Sequence, residues 1–124
     1  MKNAICITDD ASKGFHVQQV MRSLGFRTYL VSGIDSLFGC IDVMVIDIII
    51  VSELKTAKIS PFSTIKAIRQ YVRSPKALAV IHLWSRITSA EPGAMGGPIA
   101  TVIEPLTLES AKNALGLLQL NMPH

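Results

Sequence analysis

The chain is poor in cysteine and in charged residues. Its two cysteines, Cys6 and Cys40, have neither the CxxC spacing of a metal or redox site nor the number that a disulfide framework needs, so we interpret both as small buried hydrophobes. Charged residues make up 17% of the chain, and 12 basic against 9 acidic side chains give a net charge of +3. This excess is too small to indicate binding to nucleic acid or to an anionic membrane.

Long uncharged runs are also missing, and so is a glycine-rich phosphate-binding loop near the start of the chain. The longest apolar stretch, Ile41 to Val51, is interrupted by Asp42 and Asp47, whereas a membrane span needs about 20 largely uncharged residues. The first residues enter a strand-like segment without the apolar region and cleavage site of a secretory signal, so we expect a cytoplasmic protein. The segment Asp9 to Gly14 lacks the GxGxxG and P-loop patterns, which argues against a nucleotide enzyme.

Apolar residues are abundant, at 49% of 124 residues, and predict one core in a single domain that covers residues 1–124. Short apolar runs alternate with segments of helical spacing in the order βαβαβαβαβα. This order predicts an α/β fold with a parallel sheet, helices on both faces, and functional groups at the carboxyl ends of the strands. The predicted strands are Ala4 to Thr8, Arg27 to Val31, Ile41 to Asp47, Ala77 to Trp84 and Ile99 to Ile103.

The helices predicted from the same pattern differ in length. The first follows Ser12, which we interpret as its N-cap, the third begins at Pro61, and the last opens at Thr107. The second has room for barely one turn between Asp35 and Gly39. The prolines and glycines between Thr88 and Pro98 predict a fourth helix that is short or absent.

Three carboxylates are predicted to meet at one edge of the sheet. Asp9 and Asp10 end the first strand, and Asp47 ends the third. Such a cluster is stable only where solvent, protons or a hard cation offset its charge, and Mg²⁺ prefers oxygen ligands of this kind. An aspartate beside that ion can attack a phosphoryl group and form an aspartyl phosphate.

Three motifs carry a resemblance to a known family: Ile5-Cys6-Ile7-Thr8-Asp9-Asp10, Val43-Met44-Val45-Ile46-Asp47, and Val102-Ile103-Glu104-Pro105. Over nearly the whole chain the sequence resembles the receiver domains of bacterial response regulators. The resemblance implies a non-enzymatic module of two-component or phosphorelay signalling, with a flavodoxin-like sheet of strand order 2-1-3-4-5. It further implies that Asp9 and Asp10 hold Mg²⁺, that Asp47 accepts phosphate, and that a histidine kinase or another signalling protein is the partner.

The sequence departs from the family pattern at several switch positions. Glu104 stands where the family has a lysine, which places an anion beside the acidic site. Trp84 stands where a small hydroxyl residue ends the fourth strand, although a strand bulge would bring in Ser85 instead. Thr101 replaces the usual aromatic residue. We therefore interpret the chain as a degenerate receiver with impaired phosphorylation switching at Asp47.

The last predicted helix carries more leucines than one buried stripe requires. They are Leu115, Leu117, Leu118 and Leu120. Since the family commonly pairs through its last strand and helix, we expect a homodimer or a partner contact there. Two alternatives stay open: a small-molecule or nucleotide-binding domain on the same sheet, and an adaptor that works without phosphorylation. Binding of Mg²⁺ by the acidic cluster distinguishes a receiver from an adaptor.

Overall fold

A computed structural model describes residues 2–72, 78–84 and 98–118 of the chain. In these ranges strands and helices alternate as far as the fourth strand, and no helix there is long and apolar enough to cross a bilayer. The elements are β1 (Lys2–Ile7), α1 (Ala11–Ser23), β2 (Phe26–Val31), α2 (Ile34–Val43), β3 (Ile48–Val51), α3 (Pro61–Tyr71), β4 (Ala79–Trp84), β5 (Ile99–Ile103) and α4 (Leu108–Leu117).

The five strands form one parallel sheet in the order β2-β1-β3-β4-β5, which confirms the predicted fold. All four pairings are parallel, and Ile7 at the end of β1 lies beside Val31 on one side and Val51 on the other. The carboxyl ends of β1, β2 and β3 therefore meet at one edge of the sheet, which we call the carboxyl edge.

Helices cover both faces of the sheet, and each face has its own apolar core. One core joins residues of α1 and α4 to the sheet, among them Met21 and Leu115. The other joins α2 and α3 to the opposite face through Leu37 and Ile65. All four residues of β3 are buried, because this central strand is covered on both sides.

The predicted position of the third strand is wrong by several residues. The sequence predicts a strand over Ile41 to Asp47, but the first residues of that segment complete α2, and β3 is Ile48–Val51. Val43 and Val45 are each 78% exposed, whereas the four residues of β3 are buried. Composition alone does not separate these two halves, because both are rich in β-branched residues.

The second helix is also longer than one turn, since α2 runs over ten residues from Ile34 to Val43. Gly39 lies inside the helix and not at its end, and an interior glycine costs only about 1 kcal/mol relative to alanine. The fully buried side chain of Leu37 and the partly buried Phe38 hold the helix against the sheet. The predicted short fourth helix falls mostly on residues 85–97, which lie outside the described residues.

The helix starts were predicted with mixed success. Pro61 opens α3 and Thr107 caps α4, as the sequence indicates. The N-cap of α1, however, is Asp10 and not Ser12, because an Asp10 carboxylate oxygen accepts the backbone N–H of Lys13 at 3.1 Å.

Candidate functional site

The carboxyl edge gathers residues that follow β1 and β3. Because Ile7 lies beside Val51 in the parallel ladder, the segments that begin at Thr8 and Ser52 leave the sheet side by side. Adjacent strands are about 4.8 Å apart. Ser52 therefore stands at the place where the sequence was expected to put Asp47.

Asp47 lies at the opposite edge, where β1 and β3 begin. The backbone N–H of Asn3 donates to Asp47 Oδ2 at 2.8 Å, and the N–H of Asp47 donates to the Asn3 carbonyl at 2.9 Å. From Asn3 to Asp9 the chain runs along β1 for about 20 Å, at roughly 3.3 Å per residue. The prediction that Asp47 joins Asp9 and Asp10 in one cluster is therefore wrong. Its carboxylate instead accepts a hydrogen bond from Asn3 that holds the start of β3 beside β1.

Asp9 holds the loop between β3 and α3. Its Oδ2 accepts the backbone N–H of Thr56 at 2.7 Å, and an isolated antiparallel bridge between Leu54 and Ile59 closes the loop. Desolvation raises the pKa of Asp9, but the hydrogen bonds from Thr56 and Lys55 outweigh it and leave the pKa below its ordinary value. Asp9 is therefore a charged anchor for this loop at neutral pH.

The side chains of Asp10 and Ser52 also form hydrogen bonds to the backbone of nearby residues. Asp10 caps α1, and its backbone N–H donates to Thr8 Oγ1 at 3.2 Å. Ser52 is fully buried, and both its hydroxyl and its N–H lie 3.2 Å from the carbonyl oxygen of Ile7. The residue at the end of β3 is thus a structural link between the two strands.

An ion pair between Lys13 and Glu104 joins α1 to the end of β5. Lys13, in the first turns of α1, lies 2.9 Å from Glu104 Oε1 just after β5, and both side chains are only 17% exposed. Oε1 meets the ammonium group without the alignment of a hydrogen bond, so the contact is an ion pair. α1 therefore supplies the cation and β5 the anion, which offsets the charge of Glu104.

A buried thiol lies beneath this pair. Burial raises the pKa of Cys6 to about 12, while the charge of Lys13 lowers it and that of Glu104 raises it. Cys6 is therefore a protonated core residue, as the sequence predicted.

The remaining switch positions are described only in part. Thr101 is exposed on β5 and pairs with His82 of β4. Burial lowers the pKa of His82 to about 4, and its ring packs edge-to-face on Phe62 with centroids 5.4 Å apart. Trp84 ends β4 beside Ile103, but its side chain and all of Ser85 lie outside the described residues.

The predicted Mg²⁺ ligands do not converge. Within residues 2–72, 78–84 and 98–118, no group of three or more His, Cys, Asp or Glu side chains is placed to hold a metal ion. Asp47 lies at the far edge, Asp10 caps a helix, and Asp9 anchors a loop. The residues of this edge therefore do not fit the Mg²⁺ site that the sequence predicted.

The predicted interface leucines divide between core and surface. Leu115 is fully buried and Leu118 packs against the same core, so Leu115 as a contact residue is wrong. Leu117 is 78% exposed, and Ile103 on the adjoining strand is also exposed. Leu120 falls beyond the part of the chain that the structure describes.

Sequence reasoning missed Ser52 and Lys13. The four apolar residues from Ile48 to Val51 predict either a loop that shields Asp47 or an extension of the third strand. The structure places them in β3, so that Ser52 follows the end of the strand. Nothing in the sequence pairs Lys13 with Glu104, because the contact depends on how α1 lies against β5.

The fold is that of response-regulator receiver domains. No protein-family profile and no curated protein sequence matches the chain. Among solved structures, a two-component response regulator from Clostridium difficile is similar with a TM-score of 0.77 and 15% identity, over 96% of this chain and 97% of that chain. A CheY-like receiver domain from Methylobacillus flagellatus gives 0.78 and 12%, over 95% and 98%.

The receiver domain of a sensor histidine kinase from Pseudomonas aeruginosa gives a TM-score of 0.74 and 15% identity, over 95% of this chain and 98% of that chain. That structure is described with a magnesium ion coordinated in its active-site cleft. At identities this low, the likeness to all three structures establishes the fold of this chain and not its activity.

Proposed function

We propose that this chain is a receiver-fold module of two-component signalling that acts by binding other proteins, without phosphorylation of a strand-end aspartate. The observation that carries the proposal is the buried Ser52 at the end of β3, where the resemblance to receivers implies the phosphoacceptor. The acidic trio does not form, so the signalling role is supported by the fold alone.

Aspartyl phosphate formation needs a carboxylate nucleophile beside a bound cation. The two carboxylates that follow β1 are taken up by the Thr56 amide and by the start of α1. The Ser52 hydroxyl faces the Ile7 carbonyl and is closed to solvent. We therefore infer that the module has no Mg²⁺-dependent phosphoryl chemistry and resembles the adaptor alternative more than a switching receiver.

The edge also disfavours a nucleotide or small anionic ligand. A helix N-terminus attracts phosphate because its first N–H groups are unpaired. In α1 the carboxylate of Asp10 already accepts one of these groups and puts a negative charge there. The first βα turn lacks phosphate-binding glycines as well.

The protein contact is proposed for the face formed by β5 and α4. On this strand and helix, Ile103 is 53% exposed and Leu117 is 78% exposed. A second copy of the chain would cover these side chains in a homodimer. A histidine kinase or another protein of the same signalling route is the other partner that this face would serve.

Light scattering without and with Mg²⁺ and beryllofluoride, a phosphoryl mimic, tests this proposal. We expect the mass of a dimer in both conditions and the mass of a monomer for Leu117→Glu, because a charge replaces the exposed apolar side chain. Lys112→Glu, on the same helix and also exposed but five residues from Leu117 and therefore on another side of the helix, is the control and should stay dimeric. A monomeric parent chain contradicts the homodimer. A mass that changes with beryllofluoride contradicts an output independent of phosphorylation.

A further inference from the structure

Two contacts tie α1 to the connection between β5 and α4. Lys13 pairs with Glu104 at 2.9 Å, and His16 Nε2 lies 2.6 Å from the carbonyl oxygen of Leu106. The Nε2–H of His16 is the donor in the second contact, because a carbonyl oxygen only accepts. We call these four residues the clasp. It joins segments that are 90 residues apart in the chain.

The two contacts of the clasp lie next to each other on both elements that they join. Lys13 and His16 are three residues apart on a helix and therefore share one face of α1. Glu104 and Leu106 flank Pro105, whose ring restricts the backbone between them. The ion pair is largely buried, so separating its members leaves charges that water solvates poorly.

We propose that the clasp holds the junction of α1 with β5 and α4 in a single conformation and takes the place of a ligand-dependent switch. The inference rests on the proposed function, in which no phosphoryl group changes the charge of this edge. A switch needs two states that a ligand favours unequally. The Lys13 cation is part of the chain and is always present, so it favours one state permanently.

Exposed apolar side chains lie close to the clasp residues in the sequence. Phe15, Ile103 and Leu108 are 60%, 53% and 43% exposed, and each lies within two residues of a clasp residue. They belong to α1, β5 and α4, so their relative positions depend on how these elements are tied together.

Hydrogen exchange with mass spectrometry tests the clasp. Lys13→Met and Glu104→Gln each remove one charge, and we expect amide exchange in residues 14–17 and 106–108 to accelerate at least about tenfold. The exchanged pair Lys13→Glu with Glu104→Lys should bring the rates back to within about threefold of the parent chain. Lys66→Met, at an exposed lysine of α3, is the control and should leave these rates unchanged.

Exchange rates in both single variants that stay within about twofold of the parent overturn the proposal, as does a folded pair variant that fails to recover. If Lys13→Met does not fold, Glu104→Gln carries the test, because glutamine keeps the shape of the side chain. A response of the parent chain to beryllofluoride defeats the proposed function but leaves these exchange rates as they are. The two failures are therefore distinguishable.

Discussion

Replacing Ser52 with aspartate is expected to make the stability of this chain depend on Mg²⁺. The variant places a carboxylate at the end of β3, beside the segment that carries Asp9 and Asp10. The sequence predicts the same arrangement for Asp9, Asp10 and Asp47. The parent chain lacks it, so its stability should be the same with and without Mg²⁺.

We expect a large loss of the free energy of unfolding without Mg²⁺ and a large recovery with it. Without metal, Ser52→Asp removes the hydroxyl bond to Ile7 and buries a charge near Asp9, which together cost about 3 kcal/mol or more of the free energy of unfolding. Mg²⁺ at about 100 times its dissociation constant returns about 2.7 kcal/mol, because it binds only the folded state. Urea denaturation with and without Mg²⁺ measures both changes.

Ser52→Asn is the matched control, since asparagine has nearly the size of aspartate but no charge. It should lose stability without regaining it in Mg²⁺. A parent chain that Mg²⁺ stabilises as strongly as the variant would show that a metal site already exists. An aspartate variant that Mg²⁺ leaves unchanged would show that Asp9 and Asp10 keep their hydrogen bonds to Thr56 and Lys13 and that no metal site forms, which contradicts this prediction.

Leu37→Ala is expected to lower the free energy of unfolding by about 2–5 kcal/mol, because the side chain is fully buried between α2 and the sheet. Val43→Ala, on the same helix but 78% exposed, should change it by less than about 0.5 kcal/mol. Urea denaturation of both variants gives the comparison. Equal losses would mean that α2 does not pack on the sheet through Leu37.

The alternation of strands and helices was predictable because most apolar runs and helical stripes are short and separate. Pro61 and Thr107 marked two helix starts correctly, since each stands where helix geometry favours it. A parallel sheet with these connections has few possible topologies, and the resemblance to receiver domains supplied the strand order 2-1-3-4-5.

The candidate site was not predictable from the same sequence, because it depends on a register. The run Ile41 to Val51 contains the end of a helix, a crossing and a strand, and apolar content does not divide them. Placing the strand a few residues early moved Asp47 from one edge of the sheet to the other. Gly39 made the second helix look shorter than it is. An interior glycine is tolerated in α2 because a neighbouring side chain, Leu37, is buried.

The ion pair was beyond sequence reasoning for another reason. Glu104 was recognised as an anion in a position where the family has a cation, and it was expected to repel the acidic cluster. Lys13 removes that conflict through a tertiary contact between α1 and the end of β5. Spacing along the chain carries no information about such a contact.

The central claim is that Asp47 lies at the start of β3, bonded to Asn3, and that Ser52 occupies the carboxyl edge. The most direct test compares the backbone amide chemical shifts of the parent chain with those of Asp47→Asn. We predict the largest changes at Asn3 and in residues 45–48, with residues 8–10 unaffected, because the Asn3 N–H donates to the Asp47 carboxylate. Largest changes at residues 8–10 would place Asp47 in an acidic cluster and contradict the account.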